Sequence, residues 1–168
     1  MAPGDRPIFL LGFMGSGKST VARLLAARLG WDCVDTDRRV EEREGKSIEE
    51  IFRDSGERRF RKVEREVLRE LDGIRRAVIA TGGGLFLDAE ARRWMKGRGR
   101  TVWLDVPLEE CVRRVGPGAA RPLWRPGDRT GFRALYEKRR AAYALAELRL
   151  PGAESSPDEL VERLLARL

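Results

Sequence analysis

Gly12-Phe13-Met14-Gly15-Ser16-Gly17-Lys18-Ser19-Thr20 fits the pattern G-x-x-x-x-G-K-[ST] at every constrained position. An apolar run, Ile8-Phe9-Leu10-Leu11, precedes it and is long enough for a buried strand. A helical pattern follows, with Val21, Leu24, Leu25 and Leu29 on one stripe and Arg23 and Arg28 off it. Strand, glycine-rich loop and helix are therefore in the order a phosphate-binding loop requires. The loop's backbone N–H groups can curl around phosphate oxygens, and the helix N-terminus adds partial positive charge. Gly15, Ser16, Gly17, Lys18, Ser19 and Thr20 are the expected nucleotide contacts, with Lys18 reaching the β- and γ-phosphates. The Ser19 hydroxyl is the expected Mg²⁺ ligand.

Outward from this loop, five short apolar runs read as strands: Ile8–Leu11, Cys33–Val34, Ala77–Ala80, Val102–Leu104 and Leu148–Leu150. Helical patterns alternate with them, which predicts an α/β fold with a parallel sheet covered by helices on both faces. Ligands of such sheets bind at the carboxyl ends of the strands. At the second of those ends stands Asp35-Thr36-Asp37, two carboxylates able to serve a cation and a hydroxyl substrate; one of them can instead cap the following helix. Asp35 is preferred as the carboxylate serving Mg²⁺, directly or through water. At the third stands Thr81-Gly82-Gly83-Gly84, which predicts a close backbone approach, read as a wall against a bound substrate. Asp105, after the fourth run, has the look of a Walker B carboxylate, but Pro107 so soon after it favours a plain strand end. Ser47 and Ser156 each open a capping box, and Arg61 is spaced to pair with Glu64, by itself an ordinary surface pair. Between Gly116 and Gly127 the chain is rich in Gly and Pro and carries Arg121, Trp124 and Arg125, the composition of a lid that delivers an arginine to a transferring phosphate. A helix over about 130–145 places either Arg139 or Arg140 inward.

Composition bounds the remaining possibilities. The chain has 168 residues, enough for one domain with its own core. The net charge of +7 is spread along the whole chain and mixed with 27 acidic residues, so nucleic-acid binding is not expected. With no His, imidazole metal sites and His general bases are excluded. No apolar run approaches the roughly 20 residues of a membrane span, and the N-terminal stretch lacks the apolar core of a signal peptide. Cys33 and Cys111 read as buried free thiols of a reducing cytoplasm.

Taken together, the motifs resemble the shikimate kinase family over nearly the whole chain. The resemblance rests on the loop at Gly12–Thr20, Asp35-Thr36-Asp37, Gly56-Glu57, Phe60-Arg61 with Glu64, Thr81-Gly82-Gly83-Gly84, Arg121-Pro122-Leu123, and Arg139 four residues before Tyr143. It implies a single nucleoside-monophosphate-kinase-like P-loop domain over 1–168, with sheet order 2-3-1-4-5, a substrate-binding helical segment at about 38–72 and a mobile lid at about 116–128. It implies MgATP-dependent phosphorylation of the 3-hydroxyl of shikimate by a cytoplasmic monomer. By the same resemblance Asp37 binds substrate hydroxyls and is placed to take the hydroxyl proton. Arg61 and Arg139 hold the carboxylate, Gly82, Gly83 and Gly84 line the pocket, Arg121 arrives with the lid, and Arg114 lies near the adenine. Planar guanidinium forks suit a carboxylate, and cationic groups do most of the work in phosphoryl transfer, which agrees with these roles. The chain departs from the pattern in having Trp124 in the lid, no charged residue directly after Tyr143, and no arginine beside Ser155 and Pro157. A gluconate kinase of the same fold is the nearest alternative, and it should lack the triple glycine and the arginine pair. A nucleotide-dependent switch without a small acceptor is the alternative of another class.

Overall fold

The computed structural model describes residues 4–116, 123 and 127–168. The chain runs β1 (Ile8–Leu11), α1 (Lys18–Leu29), β2 (Asp32–Asp35), α2 (Thr36–Glu44), α3 (Ile48–Glu70), β3 (Ala77–Ala80) and a 3₁₀ turn at Leu85–Leu87. It continues through α4 (Ala89–Arg98), β4 (Arg100–Asp105), α5 (Leu108–Val115), α6 (Arg129–Tyr143), β5 (Leu148–Pro151) and α7 (Pro157–Leu165). All strand pairs are parallel, in the order β2-β3-β1-β4-β5. This is the α/β arrangement and strand order expected from the sequence.

Because side chains alternate across a strand, β1 feeds two cores at once. Phe9 and Leu11 enter a cluster with Ile79, Phe86, Met95, Trp103, Phe132 and Tyr143 on one face of the sheet. Ile8 and Leu10 enter another with Val21, Leu25, Val78, Val102, Leu160 and Leu164, contributed partly by α1 and α7. All four β1 residues are fully buried, each worth about 1.5–3 kcal/mol of apolar transfer. A third, smaller cluster of Val40, Ile51, Phe60, Val63 and Val67 joins α2 to α3.

β3 and β4 flank β1 on opposite sides, so the switch point of the sheet falls at the carboxyl end of β1, where the phosphate-loop motif begins. β4 starts at Arg100, two residues earlier than the apolar run, because Arg100 registers against Ile8 of its neighbour β1. In α3 the backbone is non-helical at Gly56, with φ 77°, a conformation that disfavours any side chain. That break separates a short first segment from the longer helix carrying Arg61 and Glu64.

One expectation fails here. Cys111 is buried, but Cys33 is exposed. β2 is an edge strand, and of its two apolar residues only Val34 turns into the core. Among the described residues no helix is long and apolar enough to cross a membrane.

Candidate active site

Among the described residues, the loop after β1 leaves polar groups open at the start of α1. Gly17 ends the loop as the N-cap of α1, no side chain caps this helix, and its first turn contains no acidic residue. The Ser16 hydroxyl is buried and has no partner. Gly15 has φ 79°, and a Cβ there would lie 2.5 Å from the Cys111 carbonyl oxygen, so the loop can pass α5 only as glycine. A helix N-terminus and a buried hydroxyl left open together fit phosphate oxygens. Lys18 meanwhile folds back and donates to the carbonyls of Gly12 at 2.8 Å and Phe13 at 3.1 Å. Arg114 comes over from α5, donating to the Ser16 carbonyl at 3.3 Å and pairing with Glu110.

Of the two aspartates after β2, Asp35 is the cap: its Oδ1 accepts from the N–H groups of Asp37 at 3.0 Å and Arg38 at 3.3 Å. Its other oxygen accepts from the Ser19 hydroxyl at 2.7 Å. Helix α2 therefore begins at Thr36, earlier than its sequence pattern suggested, and Asp37 stands in the first turn lining the cleft. The Thr36 hydroxyl, fully buried, accepts from the Gly82 N–H at 2.8 Å and ties α2 to the end of β3.

The three glycines after β3 each lie beneath a different charged group. A Cβ on Gly82 would crowd Glu64 and stand 2.7 Å from Asp37 Oδ1; on Gly83 it would stand 2.8 Å from Arg139 Nη1; on Gly84, 2.5 Å from Arg61 Nη1. The close approach read from the sequence is thus made by the chain's own side chains, which rest on the glycine backbone. Gly83 and Gly84 line the cleft, whereas Gly82 lies buried beneath the two carboxylates.

Arg61 donates to Glu64 at 2.7 Å and to Glu57 at 3.1 Å, and its guanidinium lies 5.1 Å from the Phe60 ring centre. Burial opposes its charge, but the two glutamates outweigh burial and hold its pKa above the ordinary value. Glu64 is 1% exposed and its Oε1 has no partner. Burial pushes its carboxyl up to about 7 against the pull of Arg61. Arg139 is 4% exposed, its Nε has no partner, and its guanidinium lies 5.6 Å from the Phe13 ring centre. Among the described residues no carboxylate lies within ion-pair distance of Arg139, and burial draws its pKa down. A guanidinium stays charged regardless, so this is a buried cation facing a cleft.

These groups converge on one cleft of about 630 Å³ lined by the phosphate loop, Asp35, Asp37, Arg61, Glu64, Arg114 and Arg139. Arg121 and Trp124, and most of the predicted lid, lie outside the described residues. Asp105 takes no part: it accepts from Arg149 Nε at 2.8 Å and pairs with Arg140 at 3.6 Å, so it is a strand-end ion pair. Sequence reasoning gave no role to Glu64, Thr36 or the Tyr143 hydroxyl. Glu64 was legible only as a helix-spaced ion pair, because its burial comes from the packing of α3 against the glycine turn. The sequence shows no arginine beside Ser155, yet α7 brings Arg163 to its hydroxyl at 3.1 Å.

Residues 14–168 match the shikimate kinase family. The chain belongs to the shikimate kinase family. A shikimate kinase from Persephonella marina is 44% identical over 163 residues, covering 97% of this chain and 99% of the relative. The crystal structure of shikimate kinase from Aquifex aeolicus superposes with a TM-score of 0.85 at 42% identity, covering 95% of this chain and 94% of that one. Shikimate kinase from Acinetobacter baumannii, solved in complex with shikimate, gives a TM-score of 0.92 at 34% identity, covering 96% of this chain and 92% of that one. As a member of the shikimate kinase family, the chain is an ATP-dependent small-molecule kinase.

Proposed function

We propose that the cleft binds MgATP and shikimate and transfers the γ-phosphoryl group to the 3-hydroxyl of shikimate. The observation that carries this reading is the pair of arginines opposite the phosphate loop. Arg139 is a buried cation with an unpartnered Nε, and Arg61 stands beside it over the glycine turn. Such a pair is complementary to a planar carboxylate, which would supply the missing counter-charge. Once the carboxylate is held there, the substrate's hydroxyls face Asp37, which is in position to orient or accept a proton from the attacking one. Lys18 exchanges the Gly12 and Phe13 carbonyls for phosphate oxygens, and the α1 N-terminus and loop N–H groups receive the rest of the triphosphate.

Ser19 and Asp35 would hold Mg²⁺, since their oxygens already meet at 2.7 Å and hard oxygen donors suit this ion. When bound, Mg²⁺ neutralises charge on the phosphate oxygens. Among the described residues no group of three or more His, Cys, Asp or Glu could hold a metal alone, which accords with an ion that arrives with its nucleotide. The reading takes the chain as a monomer, and the two free thiols suit a reducing cytoplasm. No nucleic acid or membrane enters it.

The test is ADP release from MgATP in a coupled assay with and without shikimate. Release that requires shikimate and yields shikimate 3-phosphate is expected. ADP formed at the same rate without shikimate would overturn the acceptor assignment.

A further inference from the structure

Tyr143 ends α6 with its ring 2% exposed and its hydroxyl between two carbonyls that belong to different halves of the cleft. One is Gly12 O, at 3.1 Å, the first residue of the phosphate loop. The other is Gly83 O, in the middle of the glycine turn, held by a short hydrogen bond. Lys18 donates to the same Gly12 oxygen, and Arg139, one turn earlier on α6, stands beside the phenol over Gly83. The groups therefore form one chain, Lys18 to Gly12 O, Gly12 O to the Tyr143 hydroxyl, and that hydroxyl to Gly83 O, with Arg139 packed over Gly83 at its end.

A phenol has one proton and here meets two carbonyl acceptors, so it satisfies them unequally. While Lys18 supplies Gly12 O with a charged donor, the phenol proton is left to Gly83 O. When Lys18 turns to phosphate, Gly12 O loses that donor inside a buried environment, where an unsatisfied carbonyl costs about 1–3 kcal/mol. The phenol proton is then drawn toward Gly12 O, and the Gly83 carbonyl must find new geometry. Arg139, which leans on Gly83 and on the phenol, follows.

We propose that Tyr143 is a positioning residue whose hydroxyl couples the phosphate loop to the glycine turn and so sets the acceptor pocket according to the state of Lys18. This inference rests on the proposed placement of nucleotide and acceptor on the two sides of the cleft. Coupling of this kind is reciprocal: if nucleotide alters the acceptor pocket, the acceptor alters nucleotide affinity by the same factor.

The variant to make is Tyr143→Phe, which keeps the ring and removes the hydroxyl. With a non-hydrolysable ATP analogue alone, the amide NMR signals of Gly82, Gly83 and Gly84 are expected to shift in the wild type and to stay unmoved in Tyr143→Phe. This arm needs no acceptor, so it reads the coupling even if shikimate proves to be the wrong substrate. In turnover, kcat should fall between about 10- and 100-fold, as for a small misplacement of reacting groups. The separate affinities for the analogue and for shikimate should change less than about three-fold, while their mutual enhancement falls toward one. Trp103→Phe, which disturbs the packing beside the Tyr143 ring (centroids 6.2 Å apart) but keeps the phenol, should lower stability and retain the glycine shifts. Glycine signals that move alike in wild type and Tyr143→Phe, or an unchanged kcat with only a lower Tm, would overturn the proposal and leave the hydroxyl a structural fixture.

Discussion

On the proposed reading, Arg139 serves binding at the expense of stability. A buried guanidinium without a carboxylate partner is unfavourable in the empty protein, and its cost is relieved only when an anion enters. Arg139→Leu should therefore lower shikimate affinity by roughly 100-fold, as expected for truncating one side of a buried charge pair. Affinity for an ATP analogue should hardly change, and the unfolding midpoint without ligand should stay level or rise. Calorimetric titration and thermal melts check both halves; equal losses for the two ligands together with a lower Tm would mark Arg139 as a folding residue. Arg61 is different in kind, because Glu64 and Glu57 already neutralise it. From the sequence, Arg139 and Arg140 were distinguishable only as alternatives. Helical phase decided between them: Phe132, Tyr136, Arg139 and Tyr143 share the buried face of α6, and Arg140 turns toward Asp105 instead.

At the scale of elements, the turn after β3 is built so that charged side chains from α2, α3 and α6 can rest on bare backbone. Adding one methyl at Gly82 would crowd the Asp37 and Glu64 carboxylates, the latter fully buried. Gly82→Ala is expected to cut kcat by at least about ten-fold and to destabilise by about 1–3 kcal/mol, the usual range for overpacking. Gly97 in α4 offers the opposite case, since a Cβ there meets nothing within 4 Å. Gly97→Ala should stabilise by about 0.4–1 kcal/mol with unchanged turnover. Urea denaturation of the two variants, read beside their kinetics, separates a glycine needed for contact from one that merely loosens a helix. The sequence marks both simply as two of its 18 glycines; only the neighbours assembled by the fold tell them apart.

For the whole molecule, the +7 charge is carried by arginines that mostly find surface carboxylates, and such exposed pairs contribute little each. Glu64 is the exception with consequences for pH. Its folded value of about 7 lies above the unfolded 4.5, so the native state holds the extra proton between them. The contribution is fully present below the unfolded value and is lost as pH rises through the folded one, on the order of 3 kcal/mol in all. Glu44, Asp72 and Glu109, held below their ordinary range by Arg59, Arg98 and the Glu109 backbone N–H respectively, act with the opposite sign and are lost toward acid. Unfolding free energy should thus decline from about pH 5 to pH 8 in the wild type and stay flatter in Glu64→Gln, where no carboxyl titrates; parallel curves would exclude Glu64 as the source. By itself the sequence determined the alternating α/β pattern, the phosphate loop, the capping boxes and the separate motifs of the cleft, because periodicity, turn chemistry and local spacing act over a few residues; the strand order came from the family resemblance. What only the tertiary structure decided is which of those polar groups lose water. Edge placement left Cys33 exposed, and Asp105 was drawn into an arginine pair. Glu64 and Arg139 were buried, and one phenol was set between two carbonyls distant in the chain. Desolvation depends on what every other element brings to the same place, and no local stretch of sequence carries that sum.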